Sequence, residues 1–170
     1  MEENLMHIIY LPHYKENKEL GLDAIEPLKV TDPDNAGIDL RAAIEESIEL
    51  PPGASVVIPT GVKIDITSHS LHNHFTDVGV YGMAAPRSGM GFKHFVRLAN
   101  TIGIIDANYQ GEIMIKLRNE GENIVTIERG DRFCQLIFQL YVKGVTFEEV
   151  DRFETESERG ASGFGNSGVK

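Results

Sequence analysis

The sequence predicts an all-β domain of the sandwich, barrel or jelly-roll type. Apolar residues recur at every second position in several short segments, for example at Val62, Ile64 and Ile66, and this is the period of a β-strand. Turn-forming pairs such as Thr60-Gly61 separate these segments. No helical pattern is long enough to connect parallel strands, which argues against an α/β fold. The length of 170 residues suits one domain with one core.

The strand pattern occurs along most of the chain. It predicts strands at 6–11, 38–42, 55–58, 62–66, 78–84, 96–100, 113–118, 124–127, 133–141 and 146–150. On 133–141, Cys134 and Leu140 belong to an apolar set that we expect to face the core. Gln135 and Gln139 point to the opposite side. That side lines either a subunit contact or a functional site, and an exposed sheet face explains it equally well.

The first interruption of the strand pattern is the mostly polar segment 12–26. We interpret this segment as an excursion over the surface of the protein. Leu20 and Ala24 are four residues apart, so they could form the apolar stripe of a short docking helix, which is the alternative.

The second interruption, residues 67–77, contains His69, His72 and His74. These side chains could bind a transition metal if the loop brought the three imidazoles together. No cysteine and no matching spaced pair supports such a site. We therefore interpret the segment as a solvated loop.

The chain becomes polar and glycine-rich after Phe153, a composition that cannot build a core. We expect residues 1–152 to form the domain and residues 153–170 to form a flexible C-terminal arm. A frayed terminus is the simplest explanation of such a tail. Phe164, however, lies between two glycines and follows Arg159 by five residues, so an ordered arm would offer a stacking face and an anion contact.

The charge balance limits the classes of partner. With 26 acidic and 16 basic residues the net charge is -10, which disfavours general binding to nucleic acid. No run of roughly 20 apolar residues is present to span a membrane, and the acidic start lacks the layout of a signal peptide. We expect a soluble, cytoplasmic protein. The single Cys134 cannot form an internal disulfide and is expected in the core.

Two short segments carry the residue types of a catalytic site. In 103–111 an apolar strand ends in a turn that bears Asp106 and, three residues later, Tyr109. A carboxylate fixed at a strand end can deprotonate a water, and a nearby ring can cover a sugar, although an ordinary turn explains the aspartate as well. Arg87, Ser88 and Gly89 combine a guanidinium, a hydroxyl and glycine N–H groups that can approach a phosphate.

Five separated segments resemble, in order, the motif set of the trimeric dUTPase family. They are Ala-Gly-Ile-Asp-Leu-Arg-Ala at 36–42, Pro-Arg-Ser-Gly at 86–89, the segment 103–111, the segment 129–135 that begins Arg-Gly-Asp-Arg, and the glycine-rich segment 159–168. One such match is weak, whereas five in the same order are specific. Segments 12–26 and 67–77 look like additions to the family's usual lengths, so nothing is carried over to them.

The resemblance implies a distorted jelly roll, or β-clip barrel, that assembles as a homotrimer. Each active site would lie at a subunit interface and would be closed by the C-terminal arm. The substrate would be dUTP, hydrolysed to dUMP and pyrophosphate with Mg²⁺ as the cofactor, held mainly by the triphosphate. Such an enzyme limits the incorporation of uracil into DNA and supplies dUMP for dTMP synthesis.

The same resemblance assigns expected roles to individual residues. Asp106 would position a water for attack on the α-phosphorus and act as the general base, and Tyr109 would pack where a 2′-hydroxyl would clash. Asp39 would hold waters around the metal or organise neighbouring site residues. The other expected substrate contacts are Asn100, Gly103 and Ile105 for the uracil, Arg87, Ser88, Gly89 and Gln135 for the phosphates, and Arg159, Phe164, Gly165 and Ser167 from the arm.

Three other functions compete with this interpretation. A dCTP deaminase shares the fold and parts of the motifs, but it needs a glutamate where Lys116 stands and it has no equivalent of Tyr109. A regulatory module could keep the nucleotide pocket and signal through a partner, although the intact Asp106 argues against loss of catalysis. A jelly-roll lectin or capsid protein would not need Asp106 and Tyr109 together.

Overall fold

The computed structural model describes residues 5–74, 76–155, 157 and 160 and confirms the all-β class. The strands are β1 (His7–Tyr10), β2 (Ile38–Arg41), β3 (Ile48–Leu50), β4 (Ser55–Pro59), β5 (Val62–Asp65), β6 (Val78–Pro86), β7 (Val96–Leu98), β8 (Gly103–Ile105), β9 (Met114–Asn119), β10 (Val125–Ile127) and β11 (Arg132–Val142). The helical elements are α1 (Ser70–His74), α2 (Ser88–His94) and single 3₁₀ turns at Pro12–Tyr14 and Ile66–Ser68.

The strands form four antiparallel sheets, in the orders β2-β11-β6-β8, β4-β9-β7, β1-β5 and β10-β3. The period-two pattern explains their burial. On β9, Ile115 and Leu117 are buried while Met114 and Lys116 are exposed, as expected for a strand with one face on the core.

The core lies between the sheets and takes side chains from all four of them. Representative members are Leu40, Leu50, Ile58, Val62, Leu117, Ile127 and Leu136. Cys134 is fully buried, which confirms its predicted place in the core. Burial raises the pKa of its thiol above the ordinary range, so the sulfur stays protonated and is a poor nucleophile.

Strand β11 is the element that positions the functional residues. It pairs with β6 along nine residues, from Cys134 opposite Pro86 to Val142 opposite Val78. Its other edge pairs with β2, where Gln135 lies opposite Asp39. Strand β6 also pairs with β8, so four of the five motif segments meet in one sheet.

Several strand predictions need correction. Residues 146–150 are exposed and belong to no strand, because within the described residues nothing pairs with them. The prediction that Leu140 faces the core is wrong: its side chain is 62% exposed, since β11 extends beyond the core. Strand β3 and helix α2 were not predicted; the helix was obscured by Gly89 and Gly91, which are poor helix formers.

The interpretation of residues 12–26 as a surface excursion is confirmed for most of the segment, whereas its helical alternative is wrong. Leu20 and Ala24 are exposed and lie outside any helix, whereas Tyr14 and Ile25 are buried in the core. Two isolated apolar residues far apart in a polar stretch give no periodic signal. The segment is therefore part of the domain's packing.

Residues 67–77 are more ordered than a solvated loop. A 3₁₀ turn and α1 cover most of the segment, and the side chain of His69 is buried and accepts a hydrogen bond from the N–H of Leu71 at 3.1 Å. Among the residues that the structure describes, no group of three His, Cys, Asp or Glu side chains is arranged to hold a metal ion. In the same residues, no helix is long and apolar enough to cross a membrane.

Replacing the most buried aromatic side chain should destabilise the fold. Phe133 is 1% exposed, so Phe133→Ala is expected to lower the free energy of unfolding by about 3–5 kcal/mol, through lost burial and the cavity left behind. Phe92 is 86% exposed, and Phe92→Ala should change it by less than about 0.5 kcal/mol. Denaturant unfolding of both variants measures the difference. Equal losses would contradict this account of the core.

Candidate functional site

A cavity of about 620 Å³ lies between β8, the turn after it and β9. Asn100, Gly103, Ile105, Asp106 and Tyr109 all line it, so the structure gathers the residues that the sequence predicted for the nucleoside and for catalysis. These residues are close in sequence, and the connection between β7 and β9, which contains β8, brings them to one wall. The cavity is open on one side and can admit a small ring system.

Asp106 lies where β8 ends and the turn begins. The N–H of Tyr109 donates to the carbonyl of Asp106 at 3.0 Å, which closes the turn and fixes the direction in which the aspartate leaves the strand. The carboxylate is exposed and makes no ion pair within the described residues. It is therefore available to a water or a ligand at the mouth of the cavity.

Tyr109 is held at the rim of the cavity by its own turn. Its hydroxyl donates to the carbonyl of Glu112 at 2.8 Å, and its ring packs over Gly111. A Cβ atom at Gly111 would lie 2.4 Å from the hydroxyl oxygen, closer than two such atoms can approach. The glycine is thus needed for the ring to lie where it does.

A second group of residues gathers around the carboxylate of Asp39. Its Oδ1 lies 2.6 Å from Nε of Arg87, and its Oδ2 lies 3.2 Å from Nη1 of Arg132. Nη1 of Arg87 also donates to the carbonyl of Arg132 at 3.1 Å. We call Asp39, Arg87, Arg132 and Gln135 the arginine cluster. The arrangement favours a role for Asp39 in organising the two guanidinium groups, because two cations already occupy its oxygens.

Gln135 completes the arginine cluster from the neighbouring strand. Its Nε2 donates to the carbonyl of Pro86 at 2.9 Å, and its Oε1 occupies the space where Gly37 lacks a side chain. Ser88 and Gly89 open helix α2 immediately after Arg87, where the N–H groups of a first turn have no acceptor within the helix. These donors and guanidinium groups suit a ligand with several anionic oxygens.

Arg132 was not among the predicted site residues. The signal was present, since Arg132 stands in the Arg-Gly-Asp-Arg segment that matches a family motif. Arg159, Phe164, Gly165 and Ser167, expected to contribute from the arm, lie outside the described residues.

The cavity and the arginine cluster lie in different parts of the four-stranded sheet. Ile105 pairs with Gly82 in antiparallel register, so Asp106 continues toward Tyr81. Arg87 follows Gly82 by five residues in the other direction, which is roughly 17 Å of extended strand at about 3.3 Å per residue. Within the described residues no hydrogen bond or ion pair joins the two groups. We call these two separate groups of candidate residues the half-sites.

A family model described as dUTPase matches residues 23–168. The chain belongs to the dUTPase family. It is 42% identical to the deoxyuridine 5′-triphosphate nucleotidohydrolase of Hahella chejuensis over 154 residues, which cover 91% of this chain and 93% of that protein. The family assignment excludes the lectin and capsid alternatives.

Solved dUTPase structures have the same fold. The dUTPase of Staphylococcus bacteriophage 80alpha with dUPNHPP is similar at a TM-score of 0.76 and 25% identity, covering 98% of this chain and 99% of that chain. A variant dUTPase from phage phi11 of S. aureus, described with a structural Mg(II) ion, has a TM-score of 0.69 and 20% identity, and covers 89% of this chain and all of that chain. These likenesses confirm the jelly-roll class of the domain.

The deaminase alternative is not supported at position 116, where a dCTP deaminase needs a glutamate. Lys116 is exposed on β9 and lines the cavity of this dUTPase-family chain. An ammonium group at that point cannot take the part of the carboxylate that a deaminase needs.

A methyl group at Gly111 should disturb the cavity through Tyr109. In Gly111→Ala the ring must swing away and lose its hydrogen bond to Glu112, because the new Cβ would overlap the hydroxyl. We expect weaker nucleotide binding by roughly tenfold or more, measured by calorimetry with dUMP. Gly91→Ala is the matched control, since a Cβ there meets open space. Unchanged binding in Gly111→Ala would show that the ring position is unimportant.

Proposed function

We propose that the protein is a dUTP diphosphatase that hydrolyses dUTP to dUMP and pyrophosphate by attack of a water on the α-phosphorus. The observation that carries the proposal is the cavity in which Asn100, Asp106 and Tyr109 come together, in a chain of the dUTPase family. The reaction would limit uracil in DNA and supply dUMP, and we place it in the cytoplasm.

Asp106 is the proposed general base. Its exposed carboxylate lies at the mouth of the cavity on a turn fixed by a backbone hydrogen bond, so its position does not depend on a flexible loop. A carboxylate so placed can orient a water and accept its proton as the oxygen attacks phosphorus. Pyrophosphate leaves as the α–β bond breaks.

The nucleoside would occupy the cavity between β8 and β9. Asn100, Gly103 and Ile105 would offer an amide side chain and backbone groups to the edge of uracil, in a pocket that we expect to exclude a 5-methyl group. Tyr109 lies at the rim, where its ring would pack against the deoxyribose and leave no room for a 2′-hydroxyl.

The arginine cluster is the proposed triphosphate site. A protein with a net charge of -10 needs local cations to attract a polyanion, and Arg87 and Arg132 are held side by side by Asp39. Ser88, Gly89 and Gln135 would add hydrogen bonds. Arg159 would reach the γ-phosphate and Phe164 would stack over the uracil, with Gly165 and Ser167 completing the closed arm.

Magnesium is the proposed cofactor. Asp39 is already paired with two guanidinium groups, and no group of three potential ligands is found among the described residues, so this part of the chain offers few direct ligands. That fits an ion which keeps several waters and binds chiefly to phosphate oxygens. When bound, Mg²⁺ would neutralise charge on the triphosphate.

A homotrimer would unite the two half-sites. In one copy the base and the arginine cluster lie far apart, so we propose that the cavity of one chain faces the arginine cluster of another. Exposed apolar side chains at the end of β11 and in the segment after it support an interface between copies. They are Leu140, Val142, Val145, Phe147, Val150 and Phe153, and Phe147 is 95% exposed. Such a stretch is characteristic of a surface that another chain covers.

Product analysis tests the proposed reaction. Incubation with dUTP and Mg²⁺ should release equal amounts of dUMP and pyrophosphate, and chelation of the metal should slow release strongly because charge on the triphosphate is no longer neutralised. Incubation with dCTP serves as the control. Ammonia from dCTP, without pyrophosphate from dUTP, would establish a deaminase instead.

The role of Asp106 can be separated from binding. Asp106→Asn keeps the shape of the side chain but cannot accept a proton, so kcat should fall by at least about 10²-fold while the affinity for dUMP is retained. Asp34→Asn, the same replacement on an exposed loop, should leave kcat unchanged. Near-normal turnover in Asp106→Asn would remove this residue from its proposed role.

A further inference from the structure

The segment 12–26, which contains none of the five motifs, contacts the wall of the nucleotide cavity. Nε2 of His13 lies 2.8 Å from Oε1 of Glu112, and Glu112 lines the cavity. The same carboxylate oxygen accepts a hydrogen bond from the N–H of Gly61 at 2.8 Å. The carboxylate of Glu112 is thus held by two groups, His13 and Gly61, that are both far from it in the sequence.

Glu112 in turn holds Tyr109. Its carbonyl accepts the hydrogen bond from the Tyr109 hydroxyl at 2.8 Å, while its carboxylate is bound to His13. The backbone and the side chain of one residue therefore connect the imidazole to the tyrosine at the rim of the cavity. A movement of Glu112 would displace the acceptor on which the position of the ring depends.

His13 itself is fixed by Arg129. The guanidinium of Arg129 donates to the carbonyl of His13 at 2.7 Å, to that of Lys15 at 3.0 Å, to that of Asp23 at 3.1 Å and to that of Ile44 at 3.1 Å. One planar cation thus gathers both ends of the segment and ties them to the domain. The imidazole is presented to Glu112 from an anchored backbone.

Tyr14 secures the residue next to His13. Its ring is buried, and its hydroxyl donates to the carbonyl of Glu26 at 2.5 Å, which joins the start of the segment to its end. Burial raises the pKa of Tyr14 to about 12, so the hydroxyl remains a donor. A Cβ at Gly61 would lie 2.9 Å from the Tyr14 ring, so the loop bearing Gly61 packs directly on the segment.

The His13–Glu112 contact is shielded enough to influence geometry. The side chains are 28% and 19% exposed, respectively, so water competes with the hydrogen bond less than at an open surface. The contact also forms where Tyr109 needs a fixed acceptor. This contact gives the polar segment 12–26, which contains no motif residue, a structural link to the cavity.

We propose that His13 is a positioning residue for sugar selection, acting through Glu112 on Tyr109. The inference rests on the proposed function in one respect, that Tyr109 packs against the deoxyribose. Rejection of a 2′-hydroxyl requires a ring that cannot yield, because a mobile ring makes room for the extra oxygen. Loosening the ring should therefore help ribonucleotides more than it harms deoxyribonucleotides.

Two replacements of His13 test the proposal. His13→Ala removes the donor, whereas His13→Gln places an amide N–H close to the position of Nε2. We measure kcat and KM for dUTP and for UTP, together with the affinities for dUMP and UMP. In His13→Ala the preference for the deoxy substrate should fall by roughly tenfold, as expected for a small displacement of a positioning group. His13→Gln should restore most of that preference.

Controls separate positioning from folding. His7→Ala changes an exposed histidine on β1 and should leave the preference unchanged. Should His13→Ala fail to fold, His13→Phe removes the donor while keeping an aromatic ring, and the preference for the deoxy substrate should fall in the same way. A preference in His13→Ala equal to that of the wild type, or one that His13→Gln does not raise, would overturn the proposal.

The affinity measurements with dUMP and UMP keep this test distinct from the test of the proposed function. A wild-type protein without dUTP hydrolysis would refute the proposed reaction. The ratio of dUMP to UMP affinity would still report on the link between His13 and the sugar. A fall in that ratio in His13→Ala supports the link, and an unchanged ratio refutes it.

Discussion

Backbone hydrogen bonding in the sheet β2-β11-β6-β8 is the constraint on which both half-sites depend, because β8 leads into Asp106 and the other three strands carry the arginine cluster. One edge of β11 pairs with β6 and the other with β2, which puts Gln135 opposite Asp39 and Cys134 opposite Pro86. Because side chains alternate across a strand, a slip of one residue would turn Gln135 into the core and Cys134 toward the arginine cluster. The buried face of β11 thereby fixes the register that assembles the functional face.

The carboxylates of Asp39 and Asp106 have the same chemistry but different surroundings. Asp39 lies between two guanidinium groups, where its charge is matched and its geometry is fixed. Asp106 is exposed on a turn, with no ion pair among the described residues, and its oxygens are open to a water. In the proposed reaction, the first would organise cations for a polyanion and the second would accept a proton.

Features that are local in sequence could be predicted, and those that depend on pairing could not. Asn100, Asp106 and Tyr109 lie within ten residues of one another around the short strand β8, so their convergence follows from that strand and the turn after it. Residues 146–150 have the strand pattern but no partner strand among the described residues. The contacts of the arginine cluster join segments that are distant in sequence. The resemblance to the dUTPase family predicted three of its four members. Their contacts with one another, however, follow from the strand register.

The polar segment 12–26 illustrates the same limit. Tyr14 and His13 give no periodic signal, yet one is buried in the core and the other contacts the cavity wall. Their role depends on Arg129, which is more than a hundred residues later in the chain. Composition alone could not show how this surface segment is anchored, because its anchors are two buried side chains and one distant cation.

The central claim is that a complete site takes Asp106 from one copy and Arg87 from another. Co-refolding Arg87→Ala chains with Asp106→Asn chains, each inactive alone, tests it most directly. Random assortment should recover roughly a quarter of the wild-type dUTP hydrolysis, the fraction of interfaces at which both intact residues meet. Activity no greater than the sum of the separate variants would contradict the claim.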